Sequence, residues 1–301
     1  MEELKVTRYG SSTAAPFALS AILLWSFLAL LGSRLVGLPP LLMTGAALSI
    51  GGTIGLIKVR EWKVPVGTFC IGVGGIFGYH FLLFTAFRHA PTVEANLINY
   101  LWPLLIVLLS PVVLPGYGLG LRHVLGALAG LAGAALIVTG GSLSFDATNL
   151  PGYVAAAGAA LVWALYSLLT KRLPPFKSGA VGGFCLGSGL LALGVFVVES
   201  GVGGFSAIKV TDWPFLVLLG VGPMGSAFFL WDASLKRGDP RVIGALSYLT
   251  PMLSTLALVA IGGKPFTALS AVAMALIIAG AVVGSVPAKA TQARPRARSA
   301  P

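Results

Sequence analysis

Long apolar segments alternate with short polar ones along almost the entire chain. Each is about 20 residues long, the length at which an α-helix crosses the hydrocarbon core of a bilayer. Strands of a membrane barrel are instead about 10 residues long and alternate in polarity. Charged residues, glycine and proline divide the chain into ten spans, at about residues 16–36, 39–57, 65–87, 92–114, 121–140, 150–170, 179–199, 212–235, 241–261 and 267–286. The pattern predicts an all-α integral membrane protein with ten transmembrane helices.

The spans form two similar sets. The segment NYLWP at residues 99–103 of the fourth span recurs as SYLTP at residues 247–251 of the ninth, 148 positions further on. Trp25 and Trp163 each precede a pair of prolines, and the third and eighth spans share a glycine pattern. We therefore expect one five-helix repeat at residues 16–146 and a second at 147–286, between an N-terminal tail (1–15) and a basic, disordered tail (287–301). Because five is odd, the second repeat enters the membrane from the opposite face, which makes an inverted repeat.

Pro103 and Pro251 predict a helix kink at corresponding places in the two repeats. A proline inside a helix removes a backbone hydrogen bond and costs about 3 kcal/mol or more in water. In a bilayer the carbonyl group that loses its partner must find another. Paired helix breaks of this kind are typical of a binding site near the bilayer midplane, between the repeats. The sequence thus predicts a central cavity at the two kinks.

Polar residues of the fourth span share one helix face. Asn96, Asn99, Tyr100 and Pro103 are spaced i, i+3, i+4 and i+7. A polar face turned toward lipid is unfavourable, so this face is expected to line the cavity and bind substrate. In the alternative explanation, the amides only form hydrogen bonds to neighbouring helices.

Hydroxyl groups follow the kink of the ninth span. Ser247 and Tyr248 are expected to line the cavity opposite the fourth span. For Ser254 and Thr255 we favour hydrogen bonds to carbonyl groups of their own helix.

Aromatic side chains lie within the spans rather than at their ends. Trp102, Trp163, Tyr166 and Trp231 are candidates for binding a flat ring by stacking, or a cationic ring by cation–π attraction, and Tyr79 on the third span is a further candidate for binding substrate. Simple core packing explains each of them equally well. His80 also lies deep in a span, where it is neutral and partnered or carries protons, and a structural role is slightly favoured.

Composition supports the membrane assignment and excludes several other classes. Of the 301 residues, 56% are hydrophobic and 10% charged, against about 25% charged in soluble proteins. The first apolar segment is too long for a signal peptide and lacks a cleavage site. Cys70 and Cys185 lie in apolar segments with no CxxC or histidine cluster nearby, so we expect no disulfide, metal or other cofactor. Motifs such as HExxH and GxSxG are absent, so an enzyme is not expected.

The net charge of +11 indicates how the chain is oriented in the membrane rather than binding of nucleic acid, because the basic residues lie in short loops. Ten spans place both termini on one side. With both termini in the cytoplasm, sixteen lysine and arginine residues are cytoplasmic and four are external, namely Arg34, Arg88, Lys209 and Lys264. Positive-inside bias therefore predicts two cytoplasmic termini.

Acidic residues approach the membrane only near span ends. Glu94 is expected to pair with Arg88 or His89, and Asp232 with Lys236. Since no acid lies at the centre of a span, coupling to protons through a buried carboxylate is not expected, and passive transport is at least as well supported.

Small-residue motifs mark the fifth and tenth spans, as Gly126-xxx-Gly130 and Gly280-xxx-Gly284. Such motifs allow close helix packing. Packing within one chain, and hence a monomer, is the favoured explanation, with a homodimer contact as the alternative.

Ten spans in two sets of five, with a tryptophan near the start of each set and paired Tyr-x-x-Pro breaks, resemble the EamA-type branch of the drug/metabolite transporter superfamily. Within it, NLINYLWP at residues 96–103 is similar to the aromatic amino acid exporters of the YddG type. The resemblance covers about residues 16–286. It implies a bacterial inner-membrane exporter that moves aromatic amino acids, and some flat cationic drugs, outward through a cavity between the halves. A transporter of another amino acid or small metabolite is the alternative, whereas phosphate-bearing substrates would need Lys or Arg in mid-span.

Overall fold

The computed structural model describes residues 11–261 and 265–285, which contain helices and no strand. The first ten residues of the N-terminal tail and the expected disordered tail at 287–301 lie outside the described residues. The α-helices are Ser11–Ser26, Leu28–Gly32, Pro40–Ile54, Val66–His89, Thr92–Asn99, Leu101–Val113, Leu121–Thr139, Leu150–Arg172, Ala180–Ser200, Trp213–Val221, Ala227–Arg237, Pro240–Leu246, Leu249–Ala260 and Ala268–Ser285.

Ten helical segments of the described chain are long and apolar enough to cross a membrane. In order, these spans are Thr13–Gly32, Pro40–Trp62, Val66–His89, Thr92–Val113, Leu121–Thr139, Ala147–Arg172, Ala180–Ser200, Val210–Arg237, Pro240–Ala260 and Ala268–Ser285. The expected all-α membrane fold with ten spans is confirmed, because each predicted apolar segment coincides with one observed span to within a few residues at most ends.

The most extensive helix contacts join the first five spans to the last five. The second span packs on the seventh and the fifth on the tenth, while the third packs on the sixth and the first on the eighth. These pairs agree with the two-fold repeat. The pair of third and sixth spans corresponds to the pair of eighth and first spans, and each of the other two pairs consists of equivalent spans. The core of the protein therefore lies between its two halves.

The two small-residue motifs pack against each other inside the chain. A Cβ atom added at Gly126 would lie 2.6 Å from the backbone nitrogen of Gly284 and 2.7 Å from the carbonyl oxygen of Gly280. Only glycine allows backbones to approach this closely. The favoured explanation of these motifs, packing within one chain, therefore agrees with the structure, and Gly126, Gly280 and Gly284 are not free to form a homodimer contact.

Replacing Gly126 by leucine is expected to lower the free energy of unfolding by about 3 kcal/mol, because the side chain must displace the backbone of the tenth span. The matched control is Gly74→Leu, where an added Cβ has no atom within 4 Å. Thermal unfolding of the purified variants in detergent measures the difference. Equal melting temperatures for the two variants would contradict the packing described here.

The fourth and ninth spans are each broken near the middle. The fourth span consists of Thr92–Asn99 and Leu101–Val113, and the ninth of Pro240–Leu246 and Leu249–Ala260. Each break lies about three residues before a proline. Because proline has no N–H group, the carbonyl group four residues before it loses its usual hydrogen-bond donor. The Tyr248 hydroxyl donates to the carbonyl oxygen of Tyr100 at 3.1 Å, so the two broken spans are joined at their breaks.

A further break interrupts the eighth span, and the sequence reading did not anticipate it. Gly222–Ser226 forms a short π-helix that contains Pro223. The indole nitrogen of Trp25 donates to the Pro223 carbonyl oxygen at 3.0 Å. The π-helix changes the backbone hydrogen bonding of this segment, and the Trp25 side chain provides a donor for the Pro223 carbonyl oxygen. The same bond links the first span to the eighth.

Candidate functional site

A cavity of about 570 Å³ lies between the two halves, at the broken spans. This volume falls within the usual range for small-molecule sites, about 300–1,000 Å³. Val36 and Thr92 are exposed members of its wall, so the mouth lies where the first span ends and the fourth begins. The aromatic side chains that line the cavity are Trp25, Tyr79, His80, Phe84, Phe87, Tyr100, Trp102, Trp163 and Phe228. Its polar wall residues are Thr44, Thr92, Asn96, Asn99, Thr250 and Ser254.

Three tryptophans from three spans form a continuous aromatic surface in this wall. The ring centre of Trp25 lies 6.3 Å from that of Trp102 and 5.8 Å from that of Trp163, and Trp102 and Trp163 are 6.3 Å apart. All three pairs are edge-to-face, an arrangement that aromatic rings prefer over face-to-face stacking. Phe228 also contacts Trp25 and Trp163, at 6.1 and 5.5 Å. We call Trp25, Trp102, Trp163 and Phe228 the aromatic wall.

Tyr79 and Asn99 connect the third span to the fourth beside the aromatic wall. The Asn99 amide nitrogen donates to the Tyr79 hydroxyl at 3.3 Å, and the Tyr79 ring lies 5.1 Å from that of Trp163. The Asn99 side-chain oxygen is buried and has no partner among the described residues. This amide therefore uses its donor group but not its acceptor within the described protein.

His80 is held by its own helix. Its Nδ1 lies 2.8 Å from the carbonyl oxygen of Ile76, to which it donates. A neutral imidazole has one donor and one acceptor nitrogen, so this bond leaves Nε2 as an acceptor. The ring packs against Tyr79 and Phe228, at 4.9 and 6.2 Å between ring centres.

The cavity wall carries no Asp, Glu, Lys or Arg side chain among the described residues, and His80 is its one imidazole. A ligand with a net charge would therefore find no opposite charge there. A zwitterion or a neutral molecule suits this wall better, because burial of an unpaired charge is costly.

Seven of the ten residues singled out from the sequence as substrate-binding candidates lie in the cavity wall: Tyr79, His80, Asn96, Asn99, Tyr100, Trp102 and Trp163.

The other three, Tyr166, Ser247 and Tyr248, lie outside the cavity wall, which differs from the expectation. Tyr166 is 3% exposed and packs on Gly75, behind Trp163. The Ser247 hydroxyl donates to the Ile243 carbonyl oxygen of its own helix at 2.8 Å. Tyr248 is fully buried and its ring packs on Gly130.

The ninth span presents a different face to the cavity from the expected one. Thr250 and Ser254 lie in the wall, although a bond to its own helix was favoured for Ser254. Thr255 does bond to its own helix, since its hydroxyl donates to the Pro251 carbonyl oxygen at 2.9 Å.

Trp25, Phe228 and Thr250 are wall residues that the sequence reading missed. The repeat contained the signal for two of them. Trp25 begins the same motif as Trp163, and Phe228 follows His80 by 148 positions, the offset between the two broken spans. Thr250 follows Trp102 by the same 148 positions, but the type of side chain differs, so a polar wall residue was not indicated there.

At the end opposite the mouth, basic side chains close the gap between the halves around the loop that follows the fourth span. The Arg241 guanidinium donates to the Gly118 carbonyl oxygen and lies 5.2 Å from the centre of the Tyr117 ring. Lys171 lies 5.7 Å from the centre of the same ring. We call Tyr117, Gly118, Lys171 and Arg241 the basic closure.

Asp239 holds Arg241 in place, with its Oδ2 2.5 Å from a guanidinium nitrogen. Burial disfavours the charged form of Asp239, but the hydrogen bonds and charge of Arg241 outweigh it, so the pKa of this carboxyl lies below its ordinary value. The pair therefore stays ionised at neutral pH.

The acids near the span ends are partnered. Asp232 pairs with Lys236 at 2.7 Å, as expected from their spacing. The pairing expected for Glu94 was wrong: Arg88 pairs with Glu199 at 3.0 Å, and Glu94 instead accepts a hydrogen bond from the Tyr153 hydroxyl. The Arg88 and Glu199 side chains are 50% and 37% exposed at the span ends, whereas Glu94 is 8% exposed and has a neutral hydroxyl group as its partner.

Known proteins share this architecture. The chain is 41% identical to the aromatic amino acid exporter YddG of Ancylobacter novellus over 288 residues, which are 92% of this chain and 99% of that protein. It is 25% identical to the aromatic amino acid exporter YddG of Escherichia coli, over 80% of this chain and 86% of that protein. It is 29% identical to a probable terminal-alkyne amino-acid exporter of Streptantibioticus cattleyicolor, over 82% of each.

A solved crystal structure that is 41% identical in sequence matches with a TM-score of 0.85, over 91% of this chain and 96% of the other. The model of the EamA-like transporter family matches residues 12–139 and 150–286, one match for each half of the protein. With ten spans, two packed halves and a cavity at their broken helices, the chain belongs to the EamA-like transporter family.

Proposed function

We propose that this protein exports aromatic amino acids from the cytoplasm across the bacterial inner membrane, by alternating access of the central cavity. The observation that carries the proposal is the aromatic wall beside the two helix breaks. A flat ring gains about 0.5–1.5 kcal/mol from such contacts beyond the area it buries. The names of the relatives from A. novellus and E. coli support the same substrate class.

The absence of charge in the described wall agrees with an amino acid that carries one positive and one negative group. It disfavours phosphate-bearing metabolites, which need Lys or Arg. Flat cationic drugs remain within the proposal, because tryptophan faces attract cations.

We further propose that the halves form an inverted repeat, residues 16–146 and 147–286, with both termini in the cytoplasm. The pairing of spans between the halves and the two family matches support the repeat. The basic closure lies on the side rich in lysine and arginine, and the cavity mouth lies on the other side. Under the positive-inside rule, this is an outward-open state.

A second candidate function is export of another amino acid or small metabolite. The relative from S. cattleyicolor, named for terminal-alkyne amino acids, favours this broader class. Such a substrate would bind in the same uncharged cavity but would gain less binding free energy from contacts with the aromatic wall.

Uptake assays with the purified protein in sealed vesicles distinguish the two candidates. Labelled phenylalanine should enter faster than into protein-free vesicles, and unlabelled tryptophan and tyrosine should compete better than leucine or alanine. Equal competition by aliphatic amino acids would favour the second candidate, and no uptake of any amino acid would reject both.

The His80→Gln substitution is expected to leave the pH dependence of transport unchanged. His80 bonds to its own helix, and the described cavity wall holds no carboxylate that could exchange a proton with it. Initial uptake rates between about pH 5.5 and 8, where histidine titrates in water, measure this for both proteins. A flattened profile in the variant would make His80 a proton carrier.

A further inference from the structure

Three residues of the cavity wall have a buried side-chain oxygen atom with no hydrogen-bond partner among the described residues: Thr44 (Oγ1), Asn99 (Oδ1) and Thr250 (Oγ1). Buried polar atoms in folded proteins are nearly always bonded, so each exception calls for an explanation. One explanation is that the missing hydrogen-bond partner is a bound ligand.

Two of the three border the point where the broken spans meet. Asn99 precedes Tyr100, whose carbonyl oxygen accepts from the Tyr248 hydroxyl, and Thr250 follows Tyr248 by two residues. Thr44 lies on the second span instead. Asn99 is 4% exposed, and its amide nitrogen is already used by Tyr79.

We propose that Asn99 and Thr250 bind the charged backbone groups of an amino acid whose ring lies on the aromatic wall. The Asn99 side-chain oxygen accepts from the α-ammonium group, and the Thr250 hydroxyl donates to the α-carboxylate. This inference rests on the proposed function and names the chemistry by which the same cavity recognises an amino acid. It explains how a wall without charged residues binds a zwitterion, because the Asn99 amide and the Thr250 hydroxyl each form a hydrogen bond with one of its charged groups.

Neighbouring hydroxyls on the ninth span do not share this role. The Ser247 and Thr255 hydroxyls are both used by carbonyl oxygens of their own helix, at 2.8 and 2.9 Å. Thr255→Val is therefore a matched control for Thr250→Val, with the same chemical change on the same helix.

The test measures competition against labelled phenylalanine in vesicles that contain the full-length protein. The competitors are phenylalanine, 3-phenylpropionate, which lacks the ammonium group, and 2-phenylethylamine, which lacks the carboxylate. Hydrogen bonds to charged groups correspond to about a tenfold effect or more. For the wild type and Thr255→Val, both analogues should therefore compete about tenfold more weakly than phenylalanine.

Each substitution should remove one discrimination only. Asn99→Leu should bring 3-phenylpropionate close to phenylalanine, and Thr250→Val should do the same for 2-phenylethylamine. Asn99→Asp, a second variant of nearly unchanged shape, should shift the preference toward 2-phenylethylamine, because its carboxylate attracts the cation. Full discrimination in both Asn99→Leu and Thr250→Val, no shift toward 2-phenylethylamine in Asn99→Asp, or no discrimination in the wild type would overturn the inference. No phenylalanine transport by the wild type would instead reject the proposed function.

Discussion

Replacing Trp163 by alanine is expected to lower transport of phenylalanine and tryptophan by about 10- to 100-fold in kcat/KM, which corresponds to about 1.4–2.8 kcal/mol. Trp163 contacts Trp25, Trp102, Phe228 and Tyr79, so it lies at the centre of the cavity's aromatic surface. Its loss removes both ring contacts and buried apolar area for the substrate. Initial uptake rates over a range of substrate concentrations measure the change.

Trp231 supplies the control for this substitution. It is equally buried, at 1% exposed, and its ring contacts Trp25 and Trp102, but it is not part of the cavity wall. Trp231→Ala therefore disturbs the same cluster without removing a substrate contact. If both variants, recovered as folded protein, lose aromatic transport to the same degree, or if Trp163→Ala keeps the wild-type rate, binding of the substrate ring by Trp163 is refuted.

A disulfide between residues 106 and 244 is expected to stop transport. At these residues the fourth and ninth spans are in contact on the side of the breaks away from the cavity mouth, since a Cβ atom at Gly244 would lie 3.4 Å from the Cβ of Ile106. That separation is close to the range of disulfides, about 3.5–4.5 Å. In the proposed alternating access, these parts of the two spans separate when the cavity opens on the side opposite its present mouth, so a covalent bond between them holds the protein in the described state.

The double variant Ile106→Cys and Gly244→Cys is made with Cys70, which is exposed, replaced by serine. Uptake should fall to the level of protein-free vesicles after oxidation and return after addition of a reductant. The two single-cysteine variants should respond to neither treatment. Unchanged uptake by fully cross-linked protein would show that these segments stay together during transport.

The sequence was sufficient to predict the ten spans and the two broken helices. The length of an apolar segment is set directly by the thickness of the bilayer, so each span could be located without knowledge of its neighbours. A proline in mid-span has an equally local effect, because it removes a bond within its own helix. Pro103 and Pro251 accordingly lie just after the two observed breaks.

The wall-facing residues of the ninth span could not be predicted in the same way. Positions 247, 248, 251, 254 and 255 share one face only if the helix is continuous, whereas it ends at Leu246 and begins again at Leu249. The break changes the rotation of the second segment relative to the first. As a result, Ser247 and Tyr248 are buried in packing and Thr250 and Ser254 reach the cavity.

The repeat also suggests a symmetry that one state of a transporter does not have. Tyr100 and Tyr248 occupy equivalent positions, yet Tyr100 lines the cavity and Tyr248 packs on Gly130. Since the cavity opens on one side only, equivalent residues have different surroundings. For this pair, equivalence in the sequence therefore did not predict which residue lines the cavity.

The most direct test of the central claim, that an aromatic amino acid is carried in the cavity between the halves, is a crystal structure of the protein with 5-bromotryptophan. We expect an anomalous bromine peak inside the cavity, with the indole ring against Trp25, Trp102 and Trp163. A peak at any other position, or a cavity without ligand at a concentration that saturates transport, would contradict it.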